Sequence, residues 1–193
     1  PIQDNLQATT TALLPAVLYR GCEKYPTKRQ LNARLEEMFG SRMNVSILKR
    51  GENQIIRFSL EVVNEKFLNR KENLFEKGLD LLYQIVFNPI IENDSFKTEY
   101  VVQEKKLLEE EIKSLINDKY TYAVERCFQE MCKQEAYGIY KLGHISALED
   151  IDGHKLYQYY KNSLRNNQID LMVVGDIEPE VAKNKCTNFL GNK

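Results

Sequence analysis

Histidine is scarce in this chain of 193 residues: only His144 and His154 are present, and no His-x-x-Glu-His run exists anywhere in it. A helical zinc site built on that run is therefore excluded. Cysteine is sparse too, with Cys22, Cys127, Cys132 and Cys186 showing neither Cys-x-x-Cys spacing nor the density of a disulfide scaffold. Cys127 and Cys132 would lie about 140° apart on one helix, poor geometry for a shared metal. The four read as reduced core thiols of a cytosolic protein. Charge of one sign is missing as well: 28 acidic and 27 basic residues are well mixed and leave a net −1. Without a basic stripe interleaved with aromatics, a nucleic-acid surface has no support. No apolar run approaches the roughly 20 residues of a membrane span, and there is no signal-peptide core. A soluble, cytoplasmic protein is the expectation, with no membrane and no nucleic acid among its partners.

The length suits one α+β domain spanning 1–193, with a sizeable apolar interior. Thr9-Thr10-Thr11 offers an N-cap for a helix running to about Arg20 and closed by Gly21, which would place Pro15 near the first turn. Thr27-Lys28-Arg29-Gln30 is a capping box ahead of Leu31, Leu35 and Met38 on one helix face, with Gly40 as the stop. Alternation then predicts two strands, 43–48 and 55–62, turning at Arg50-Gly51-Glu52. Helical spacing returns over 72–87 and ends at Asn88-Pro89. Asp94 or Ser95 is the expected cap of the longest helical stretch, with Asn117-Asp118 breaking it and a further helix over 120–132. Asp152 caps a short helix with Leu156, Tyr160 and Leu164 inward. Residues 169–174 read as a near-continuous apolar strand before Gly175-Asp176, and Glu178-Pro179-Glu180 opens a final helix. Strands and helices segregate, which argues for an antiparallel sheet packed by helices and against a doubly wound fold. Pro1 without a methionine, and the stretch Asn184–Lys193 just inside a helix, read as cuts through a longer protein.

The stretch with most chemical content is Ala12-Leu13-Leu14-Pro15-Ala16-Val17-Leu18-Tyr19-Arg20-Gly21-Cys22-Glu23-Lys24-Tyr25-Pro26. It resembles the active-site helix of the pitrilysin/insulinase (M16) zinc peptidases with the reactive residues replaced. The Leu-aromatic-basic-Gly-x-Glu-x-Tyr-Pro tail of those enzymes stands intact at Leu18–Pro26. Counting back from Gly21, Ala12 and Ala16 occupy the two metal-ligand positions and Pro15 that of the catalytic Glu. Alanine has no lone pair for a metal, and proline no carboxylate to activate water. The order of Asn88-Pro89, the Val102–Ile112 run, Tyr137-Gly138, Leu142-Gly143 and Val173–Asp176 extends the likeness over nearly the whole chain.

The resemblance implies a metalloprotease-type α+β fold and a protein of two homologous halves, of which this chain would be most of the first, missing its opening strands. It also places Glu111 at the third zinc-ligand position and Glu104, two turns earlier on the same helix face, at that of its supporting carboxylate. Without histidine partners the two read as vestigial carboxylates on an acidic face, so the zinc site is expected to be lost and no cofactor is expected. Asp118-Lys119-x-x-Tyr122-Ala123 and Glu130-Met131-Cys132 are similar to a bacterial subgroup of non-catalytic members that accompany an active one. That subgroup is named for an association with modification of elongation factor P. The implied role is a non-catalytic partner or peptide-binding subunit of an active zinc metallopeptidase. Its partner would be that active subunit or a second half of the same chain, and extended peptide its ligand. Two other readings remain open: a non-catalytic half of an active metalloendopeptidase, and a helical interaction domain of other ancestry.

Overall fold

The computed structural model describes residues 1–69 and 72–190, so the last three residues of the Asn184–Lys193 stretch lie outside it. Helix α1 (Asn5–Leu18) leads into α2 (Lys28–Glu37), followed by a hairpin of β1 (Arg42–Arg50) and β2 (Asn53–Glu61). Helix α3 (Leu74–Phe87) comes next, then a small hairpin of β3 (Ile91–Glu92) and β4 (Ser95–Phe96). Helices α4 (Thr98–Ser114), α5 (Lys119–Met131), α6 (Gly153–Asn166) and α7 (Pro179–Leu190) complete the order. The class is α+β, as the segregation of strands and helices predicts.

Helix α1 is the axis of the molecule. Residues 8–15 are all buried, together with Val17 and Leu18, so its sides face protein almost all round. Around it α4, α6, β1, β2 and the turn at Ile145–Leu148 close one core. Leu13, Leu31, Met38, Leu74, Leu81, Ile85 and Leu156 are its most deeply buried aliphatic side chains. The main hairpin pairs Met43 with Leu60, Val45 with Phe58 and Ile47 with Ile56, which puts the apolar set of both strands on one face. Leu60 and Val62 lie over Gly78 of α3, so this face packs on that helix. Helix α2 carries the expected capping box, Thr27 accepting from the Gln30 N–H while the Gln30 side chain accepts from Thr27 N–H at 3.0 Å.

Four expectations need correction. Asp4, not a threonine, caps α1 by accepting from Gln7 N–H at 2.7 Å, so the helix starts two turns before a cap at Thr9–Thr11 would allow. The three threonines instead lie inside it, their hydroxyls donating to the carbonyls of Asn5, Leu6 and Gln7 at 2.7–2.8 Å. The long helix begins at Thr98, because Asn93 and Asp94 take left-handed φ values of 51° and 57° and turn the β3–β4 hairpin. Residues 169–174 form no strand: among the described residues each sheet has two strands, β1–β2 and β3–β4. Finally, of the four free thiols Cys22 alone is buried in the core, while Cys127 is exposed on α5. Periodicity ranks a cysteine by its neighbours in sequence, and α5 buries none of its residues fully.

Candidate functional site

The altered motif sits in the middle of α1. Ala12 and Pro15 are buried and Ala16 is half-buried. Because the helix starts at Asn5, Pro15 lies in its interior, where it supplies no N–H to the Thr11 carbonyl; an interior proline costs a helix about 3 kcal/mol. The Thr11 hydroxyl, which donates to the Gln7 carbonyl at 2.8 Å, also lies 2.5 Å from the Tyr159 hydroxyl of α6. A polar link thus crosses from α1 to α6 one turn before the position where the active enzymes carry their general base.

Helix α4 presents the two carboxylates differently. Glu104 is largely buried and forms an ion pair with the Arg20 guanidinium, the side chains being 12% and 23% exposed. Lys28 stands close to both. Burial lowers its pKa, the Glu104 carboxylate raises it and the Arg20 cation lowers it again, and its ammonium lies 3.9 Å from the centre of the Tyr19 ring. Glu111 is exposed. It acts on Tyr140, whose phenol is pushed up to about 12 by burial, with the carboxylates of Glu125 and then Glu111 adding to the effect.

These residues do not fit a zinc ion. Of the three ligand positions that the resemblance assigns, Ala12 and Ala16 carry methyl groups, which leaves the exposed Glu111 carboxylate alone, and the supporting Glu104 is paired with Arg20. Among the described residues no group of three or more His, Cys, Asp or Glu side chains is arranged to hold a metal. His144 and His154 lie elsewhere: His144 bonds Ser146, and His154 Nδ1 lies 3.1 Å from the Asp94 carbonyl. General-base chemistry has no candidate at Pro15.

The intact tail has a structural use. Cys22 and Tyr25 exchange backbone hydrogen bonds at 3.0 and 3.1 Å, and Glu23 N–H donates to the Asn88 carbonyl at 3.0 Å. Lys24 pairs with Asp80 of α3 at 2.7 Å, and the Tyr100 hydroxyl of α4 donates to the Pro26 carbonyl at 3.0 Å. A Cβ on Gly21 would come within 2.4 Å of that same carbonyl oxygen, so no larger residue fits there. The tail therefore ties α1 to the ends of α3 and α4. The Arg20–Glu104 pair belongs to this clamp. The basic residue before Gly21 was its visible signal, but nothing in the sequence joins it to a residue 84 positions away.

Two clefts open away from this region. One of about 260 Å³ lies between the start of α1 and the loop at 138–144, lined by Asn5, Cys132, Lys133, Tyr140 and His144 among others. The second, of about 580 Å³, lies between residues 169–173 and α7. Neither includes Ala12, Pro15, Ala16, Glu104 or Glu111 in its walls. Among the described residues no helix is long and apolar enough to cross a membrane.

Comparison with known proteins gives the fold its context. No protein-family model matches the chain. A curated protein of Bacillus subtilis named "Probable inactive metalloprotease YmfF" is 41% identical over 172 residues, which cover 89% of this chain and 40% of that protein. The crystal structure of a conserved protein from Enterococcus faecalis superposes with a TM-score of 0.87 at 26% identity, covering 96% of this chain and 44% of the other. The periplasmic protease PqqL from Escherichia coli superposes with a TM-score of 0.73 at 13% identity, over 97% of this chain and 19% of that protein. The chain thus spans less than half the length of each of these proteins. Its fold is of the M16 metalloprotease type, and the sequence likeness to an inactive, metalloprotease-like protein stands with it. The subgroup associated with elongation factor P finds no separate support here.

Proposed function

We propose that this chain is part of a non-catalytic peptidase-like protein of the M16 type. It works by binding, as a partner or peptide-holding subunit of an active zinc metallopeptidase in the cytoplasm. The observation that carries this reading is the altered site itself. Methyl groups stand at Ala12 and Ala16, a helix-interior proline at Pro15, and Glu104 is held by Arg20 instead of a metal shell. The name of the Bacillus relative agrees with it. Binding an extended peptide along a sheet edge relies on backbone hydrogen bonds and needs neither metal nor general base, so it survives loss of the reactive groups.

The test uses the full-length protein, alone and with a motif-bearing companion, on a mixed peptide library with zinc present. We expect no cleavage by the protein alone and altered cleavage when the two are combined. Chelator-sensitive hydrolysis by the protein alone would overturn the reading. Elemental analysis after dialysis is expected to show no tightly held zinc at the Ala12–Ala16 and Glu111 positions. About one zinc per chain, lost on Glu111→Ala, would contradict that. A second reading, a non-catalytic part of an active metalloendopeptidase, is favoured by one observation: the chain covers 19% of a periplasmic protease of the same fold. A His-x-x-Glu-His run elsewhere in the same polypeptide would decide for it.

A further inference from the structure

Helix α5 (Lys119–Met131) buries none of its residues fully, although helical spacing sorts its apolar and charged residues onto separate sides. One side docks on the protein: Val124 is half-buried, and the Phe128 ring meets that of Tyr137 edge-on at 5.3 Å. Tyr120, Ala123, Cys127 and Met131 recur at the spacing of a second stripe, and all four are exposed. Tyr120 is 80% and Met131 73% exposed, and the Cys127 thiol lies 3.4 Å from the Met131 sulfur along that stripe.

Beside the stripe runs a row of cations. Lys119, Arg126 and Lys133 follow at seven-residue steps and so share one flank, Lys133 standing just past the end of the helix. Glu130 is the carboxylate of that flank and is shared, Arg126 donating to it at 3.0 Å and Lys133 at 2.5 Å. Lys119 donates to the Ile116 carbonyl at 2.9 Å. The other two carboxylates of this region are turned elsewhere: Asp118 accepts from the Thr121 N–H at 3.0 Å as the cap, and Glu125 lies opposite the stripe. Three cations against one carboxylate thus border an apolar face about 20 Å long.

We propose that this face docks an amphipathic helix of another protein, one with an apolar stripe and an acidic flank. The two stripes pack together around Tyr120 and Met131, and the acidic flank meets Lys119, Arg126 and Lys133. A second copy of this chain does not suit the face, because antiparallel packing of α5 on itself sets one cation row against the other. The stripe is one helix wide, less than the roughly 800 Å² per partner of a standard interface, so an isolated helix binds weakly and in a salt-dependent way. This inference does not rest on the absence of catalysis and stands or falls apart from the function proposed above.

The test uses the full-length protein and a synthetic heptad peptide with leucine at its core positions and glutamate beside them. Its counterpart carries lysine in place of glutamate. Binding is read by fluorescence anisotropy of the labelled peptide and by the rate at which a maleimide modifies Cys127, with Cys127→Ser as the blank. The acidic peptide is expected to bind and the basic one not, with added salt weakening the complex and bound peptide slowing the Cys127 reaction several-fold. Tyr120→Asp is expected to weaken binding at least about tenfold, and Lys119→Glu about two- to five-fold. Both positions are exposed, so circular dichroism should show the fold of either variant unchanged. Failure of both peptides to bind, or equal binding of the two, would overturn the proposal. So would a Cys127 already shielded in the full-length protein alone, since the stripe would then be an internal contact. Binding to phosphatidylglycerol vesicles with no response to the acidic peptide would overturn the choice of partner in favour of a membrane surface.

Discussion

Replacing Arg20 with methionine gives the sharpest test of how the altered site is held together. The substitution keeps most of the apolar stem and removes the charge, leaving the Glu104 carboxylate, 12% exposed, without its guanidinium. Removing one partner of a fully buried pair costs about 3–5 kcal/mol, whereas hydrogen bonds to charged groups contribute about 1.5–3 kcal/mol. The Arg20 side chain is 23% exposed, which brings the pair below the fully buried case. Lys28 lies near enough for the two charges to act on its pKa, and as the remaining cation it limits the loss further. We therefore expect Arg20→Met to cost about 2–3 kcal/mol, lowering Tm by roughly 2–4 °C for each kcal/mol. In the double variant Arg20→Met, Glu104→Met neither charge is stranded, and about 1–2 kcal/mol of that loss should be recovered. Urea unfolding of the two single variants, the double variant and the parent measures the coupling. Strict additivity would show that the two side chains do not interact, and would remove the argument that Glu104 is occupied by an internal cation.

Gly143→Ala should destabilise the protein by at least about 1–3 kcal/mol, because overpacking adds to the strain of a left-handed residue at φ +73°. Its Cβ would fall 2.0 Å from Thr9 Oγ1 on α1, and a thermal melt unchanged by the substitution would refute that contact. Tyr140 makes stability depend on alkaline pH. Its phenol is held up to about 12 in the folded state, against an ordinary value of 10.0, so the folded chain binds more protons between those values. The contribution is fully present below pH 10 and lost as pH rises towards 12; Tyr140→Phe should make that fall shallower, while an unchanged slope would contradict it. Thr27→Ala should cost about 1 kcal/mol through loss of the cap of α2, read from urea unfolding.

What the sequence by itself determined is local in origin. The capping box at Thr27–Gln30 needs only residues three apart, and the alternation of Met43, Val45 and Ile47 against Ile56, Phe58 and Leu60 sets the register because one slip would turn every apolar side chain to water. The resemblance assigns the motif positions Ala12, Pro15 and Ala16 from their spacing to Gly21 alone. Tertiary structure decided the rest. Asp4 caps α1, and the threonines that looked like caps are buried against α6 and the His144 segment, which only packing can bring to them. Arg20 meets Glu104 across 84 residues, which makes that carboxylate part of a clamp. Residues 169–174 show the opposite limit: their composition asks for a strand, but a strand exists only where another backbone supplies the hydrogen bonds, and no described residue of this chain does so.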